Sequence, residues 1–131
     1  MKSVAVDTNV LVRLAAGDSP AEHRAVVAAL ADRPWRVLVT VLLEAEWVLR
    51  SRYGYSPAQF TSFVEWLDAN ERIELTDAEC VRTAIRYHRA GLDFADALHL
   101  AQVGTEPFLT LDRKLLRRSS RLGLAVVAVK S

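Results

Sequence analysis

Short apolar runs that each break off at a helix-capping residue constrain this chain more than any other feature. Residues 2–6 (KSVAV) stop at Asp7-Thr8-Asn9, which reads as a buried strand ending in a capping turn. Residues 37–41, 107–111 and 124–129 are further strand candidates. Between them lie helical patterns. One covers 10–16 and ends at Gly17, and a second starts at the capping box Ser19-Pro20-Ala21-Glu22 and runs to about Asp32. A third covers 42–53 and ends at Gly54. A fourth opens at Ser56-Pro57-Ala58-Gln59 and places Phe60, Phe63, Val64 and Leu67 on one face. Thr76-Asp77-Ala78-Glu79 is a capping box for a helix to about Ala90, Asp93 caps one to about Val103, and residues 112–119 form a short last helix. Apolar strands separated by helices predict a parallel sheet covered on both faces. The expected class is α/β, a three-layer α/β/α sandwich with a short, mainly parallel central sheet, forming one domain over residues 1–131.

Composition supports a folded, soluble protein. Of the 131 residues 51% are hydrophobic, and 17 Lys and Arg nearly balance 16 Asp and Glu, which is the opposite of a disordered chain. The single Cys80 has no partner for a disulfide within the chain, and His23, His88 and His99 lie far from it in sequence, so neither a disulfide framework nor a zinc site is supported. Asp7 and Arg13 interrupt the apolar N-terminal region, and no stretch approaches the about 18 uninterrupted apolar residues of a membrane span. A cytoplasmic location is expected. Charge is unevenly spread, because residues 113–131 carry six basic groups and no acid.

Carboxylates gather where such a sheet presents its ligands, beyond the carboxyl ends of the strands. Asp7 follows the first strand, Asp112 follows FLTL, Glu44 lies in the first turn of the third helix, and Asp93 and Asp96 lie in the first turn of a later one. Asp7, Asp93 and Asp112 are each also good helix N-caps. Capping accounts for the acids singly and leaves their convergence unexplained. Two carboxylates about 4 Å apart repel by roughly 4 kcal/mol at an effective dielectric near 20, so a cluster needs protonation or a cation. Oxygen donors without His or Cys suit Mg²⁺, with Mn²⁺ as a substitute. Such sites commonly carry metal-assisted phosphoryl chemistry.

VAVDTNVLVRL, VLLEAEWVL, GLDFADALHLA and FLTLDRKL resemble the four acidic motifs of PIN-domain ribonucleases, in particular the VapC toxins of toxin–antitoxin pairs, and occur in the same order. The resemblance implies that Asp7, Glu44, Asp96 and Asp112 are the catalytic, metal-binding acids. Glu44 rather than Glu46 matches, with Trp47 and Leu49 three and five residues beyond it. Asp93 matches a frequently acidic position and joins the metal set. Thr8, Asn9 and Thr110 match groups that orient the carboxylates or bind phosphate or water. The implied reaction is Mg²⁺-dependent endonucleolytic hydrolysis of RNA by activated water, leaving 3′-hydroxyl and 5′-phosphate ends. The implied partners are a small DNA-binding antitoxin of the VapB kind, with apolar residues near Trp47 and Tyr53 as candidate contacts, and a second copy of the chain.

RNA approaching an acidic site needs flanking cations. Arg113, Lys114, Arg117 and Arg118 follow Asp112, and a stripe of Arg82, Arg86 and Arg89 leads toward Asp93. These groups are expected to contact phosphates, the alternative being a solvated helix face. Glu46, His23 and His88 read as surface residues, His99 as a histidine packed in the core, and Cys80 as an inert small hydrophobe. Trp35, Trp47 and Trp66 read as core or dimer-interface residues. Two alternatives stay open: a PIN nuclease of RNA processing that is no toxin, and a Mg²⁺-binding receiver-like signalling module. The second lacks the paired acids expected after the first strand.

Overall fold

The computed structural model describes residues 2–130, which fall into two compact units divided between Ala78 and Glu79. The first unit holds β1 (Val4–Ala5), α1 (Thr8–Ala16), α2 (Pro20–Asp32), β2 (Trp35–Val37), α3 (Val39–Tyr53), α4 (Pro57–Ala69) and β3 (Ile73–Leu75). Its strands form a sheet in the order β1-β2-β3, with Val4 opposite Trp35 and Trp35 opposite Ile73, and both pairings are parallel. α1 packs on α3 and α2, and α4 packs beside β3. Leu11, Trp35, Leu42, Ala45, Leu49, Phe60, Val64 and Leu67 form the buried core.

The second strand lies earlier than residues 37–41. In Trp35-Arg36-Val37 buried and exposed residues alternate, as a strand with one covered face requires. Val39, Thr40 and Val41 instead open α3, despite their β propensity. No side chain of Leu38 caps this helix; the orphan N–H of Val39 donates to the Thr76 hydroxyl, 3.0 Å away. A distant residue thus satisfies the helix end, and tertiary structure overrides local preference. The longer helix moves Glu44 from the first turn to the second.

Thr76 is therefore no capping box for the next helix, and Asp77 beside it has φ 50°, in the left-handed region. The box at Ser19 does not form either, because Ser19 makes no side-chain cap and Glu22 pairs with Arg13 at 2.7 Å. The box at Ser56 and Gln59 forms in both directions.

The second unit carries α5 (Ala78–Arg89), whose first residue belongs to the first unit, then α6 (Phe94–Val103), β4 (Phe108–Thr110), α7 (Arg113–Arg121) and β5 (Val126–Ala128). β4 and β5 pair in parallel with Phe108 opposite Val126. All strand pairings among the described residues are parallel, as the α/β class demands, but the hydrogen-bonded strands are divided between two short sheets. His88 is buried rather than superficial: its ring Nδ1 lies 2.7 Å from the Leu92 carbonyl, and the ring packs edge-on against Phe94. Since a carbonyl only accepts, Nδ1 carries the proton there. Among the described residues no helix is long and apolar enough to cross a membrane.

Candidate active site

In the first unit the acids stand at the carboxyl ends of the strands. β1 runs out at Ala5, and Asp7 becomes the N-cap of α1 by accepting the Val10 N–H at 3.0 Å. The next residue, Thr8, donates its hydroxyl to Oε1 of Glu44 on α3. Thr8 therefore restricts the orientation of the Glu44 carboxylate. Asn9 is exposed and lines a cavity with Val10, Arg13 and Glu22.

Glu46 is the opposite of a surface residue. It is 4% exposed and accepts from Arg50 Nε at 2.9 Å. Two residues along a helix turn the side chain by about 200°, so exposed Glu44 and buried Glu46 leave α3 on different sides. The sequence carried a cue in the apolar residues Ala45 and Leu49, which fix the inner face next to Glu46.

In the second unit Asp93, Asp96 and Asp112 line one cavity of about 260 Å³, together with Leu92, Lys114, Leu115 and Arg118. Asp93 caps α6 through the Ala95 N–H at 3.2 Å. Asp112 follows β4 and caps α7, its Oδ1 accepting from Lys114 and Leu115 at 2.9 and 3.1 Å. Thr110 fixes this turn by accepting the Asp112 N–H at 3.0 Å. Each cap engages one carboxylate oxygen and leaves the other for different work. The capping and metal-binding readings of these acids are thus compatible.

Asp96 is different, since it accepts no hydrogen bond among the described residues. Burial lifts its carboxyl above the ordinary aspartate value, the negative charges of Asp93 and Asp112 push the same way, and His99 opposes them. This repulsion is what a cation would relieve. Among the described residues no three His, Cys, Asp or Glu side chains form a ready-made metal cage. The acids of the cavity offer only hard oxygen donors, which suit a hard divalent cation.

The basic residues divide. Lys114 and Arg118 line the acidic cavity, with one Arg118 N–H donated to the Gly91 carbonyl at 2.8 Å. Arg113 lines a different cavity beside Leu111 and Val129, and Arg117 is exposed. Arg82, Arg86 and Arg89 all lie on the exposed side of α5.

His99 is exposed on α6, not packed in the core, and its ring stacks on Phe108 with centroids 6.0 Å apart at 25°. It shares a helix face with Asp96, three residues before it. Trp35 belongs to the core, whereas Trp47 and Trp66 are 57% and 48% exposed.

Parallel strands followed by carboxylates at their carboxyl ends place the chain in the α/β class, with an acidic cavity in the second unit. A PIN-domain profile matches residues 4–120, and the chain belongs to the PIN-domain family, whose three-layer α/β/α class is the one expected. A search of the curated proteins gives no match. PIN domains are typically nucleases that use divalent metals, which puts this chain among the hydrolases.

Proposed function

We propose that the chain is a Mg²⁺-dependent endoribonuclease, the toxin of a VapBC-type toxin–antitoxin pair, working in the cytoplasm as a single nuclease domain over residues 1–131. The observation that carries this reading is the cavity shared by Asp93, Asp96 and Asp112, with Lys114 and Arg118 on its wall. Asp7, Glu44, Asp96 and Asp112 are the catalytic and metal-binding acids, with Asp93 assisting. A bound divalent cation supplies charge neutralisation at the phosphate and makes water acidic enough to serve as a nucleophile.

The chain's own groups supply the rest. Thr8 holds the Glu44 carboxylate in one orientation, Thr110 and the α7 N–H groups hold Asp112, and Lys114 and Arg118 attract the phosphate. The acids accept the proton of the attacking water. Its oxygen bonds to phosphorus, the bond from phosphorus to O3′ breaks, and O3′ takes up a proton. The products are 3′-hydroxyl and 5′-phosphate ends. Arg113, Arg117, Arg86 and Arg89 extend the path for the RNA backbone.

Exposed Trp47 on α3, near Tyr53 at the end of that helix, is a candidate contact for a VapB-like antitoxin or for a second copy in a homodimer. The test is cleavage of end-labelled total RNA by the purified chain in Mg²⁺ and in EDTA, with Asp7→Ala and Asp96→Asn alongside. Discrete metal-dependent fragments, lost in both variants, are expected. Fragments ending in 2′,3′-cyclic phosphate, or equal activity in the variants, would overturn the mechanism.

A further inference from the structure

The stacked pair of His99 and Phe108 has no part in holding acids or phosphate. Phe108 is half-buried at the start of β4, and the imidazole lies nearly parallel to its ring while remaining exposed. The imidazole has Phe108 as its ring neighbour, and the residue as a whole stays open to solvent. His99 also follows Asp96 by three residues on α6, a rise of about 4.5 Å. A flat ring thus stands about one helical turn from Asp96, on the neighbouring position of the same helix surface.

We propose that His99, backed by Phe108, is a stacking platform for one unpaired RNA base next to the scissile phosphate. The inference rests on the nuclease reading and concerns which side chain of this chain holds an unpaired base. In a duplex both faces of an internal base are covered by its neighbours, whereas bases in loops and ends can be splayed onto aromatic side chains, histidine included. Trp47 and Trp66 are larger exposed rings, but both lie in the other unit, away from Asp93, Asp96 and Asp112 in the chain. His99 needs no particular charge for this role, because any base and any flat ring present π-faces to each other.

The test uses the full chain in EDTA, so that no cleavage is needed. Fluorescein-labelled oligoadenylate and a ribose-phosphate oligomer of equal length without bases are titrated with wild type, His99→Ala and His99→Phe, and anisotropy is read. Wild type should prefer oligoadenylate; His99→Ala should reduce that preference about tenfold, and His99→Phe should keep it within about threefold. Circular dichroism of each variant establishes that it folds. An unchanged preference in His99→Ala, or an equal loss in the alanine and phenylalanine variants, would overturn the platform. Failure of the nuclease reading is separately visible as absence of Mg²⁺-dependent cleavage by wild type, whatever the binding result.

Discussion

The Thr8 hydroxyl donates a hydrogen bond to the Glu44 carboxylate, joining residues 36 apart in sequence. It ties the first turn of α1 to the second turn of α3 and restricts the orientation of an exposed acid. Replacing Thr8 by Val keeps the branched shape and removes the donor. We expect Mg²⁺-dependent cleavage to fall by about 10- to 100-fold, as for other groups that orient metal-binding residues, while Thr8→Ser retains most of the activity. Equal rates for Thr8→Val and wild type would show that Glu44 needs no such support.

Asp112 has two tasks that substitution can separate. Its Oδ1 caps α7, a contribution of about 1 kcal/mol lost in Asp112→Ala. Asn caps as well as Asp but carries no charge. Urea denaturation should therefore find Asp112→Asn close to wild type and Asp112→Ala less stable, while cleavage assays find both inactive. An active Asp112→Asn would reduce Asp112 to a cap.

Much of this arrangement was legible in the sequence, and the exceptions share a cause. The DTN and LD turns, the caps at Asp7, Asp93 and Asp112, and the glycine stops after α1 and α3 are local signals, and local structure obeys them. Thr76 looked like a cap because T-x-x-E is a local pattern, yet its hydroxyl serves Val39 from across the unit. Glu46 and His88 looked superficial because they are polar, yet Arg50 and the Leu92 carbonyl give them partners in buried positions. β3 is only three residues long, Ile73-Glu74-Leu75, too short for its alternation to stand out before the pairing with β2 is known. The acids were readable as candidates from their capping turns, whereas the pairing of His99 with Phe108 needed the fold, because β4 supplies the second ring.

Asp96 gives the site a pH signature. Its carboxyl is raised above the ordinary aspartate value in the folded protein, first by burial and then by Asp93 and Asp112. Below the unfolded aspartate value the group is protonated in both states and adds no penalty. Between the unfolded value and the raised folded value the unfolded chain ionises first, so the penalty on folding grows across that window and is complete above the folded value. Asp96→Asn has no such charge, so in EDTA its Tm advantage over wild type should be smallest in acid, grow through that window and then level off. Added Mg²⁺ should shrink the gap by favouring the ionised wild type. A gap independent of pH, measured by thermal melts from acid to neutral buffer, would mean that neither burial nor the neighbouring acids disfavour the ionised Asp96.

Glu44 and Glu46 provide the sharpest separation of chemistry from folding, because one helix carries both. Glu44→Gln should abolish cleavage and leave the urea midpoint nearly unchanged, since the side chain is exposed. Glu46→Ala should do the reverse. It leaves a cavity in a 4% exposed position and removes the contact with Arg50, at a cost of about 1–3 kcal/mol, discounted because Arg50 remains half in solvent. Cleavage per folded molecule should stay near wild type. If Glu46→Ala were stable but inactive and Glu44→Gln active, the metal-binding acid on α3 would be Glu46, and the orientation of Glu44 by Thr8 would have no catalytic meaning.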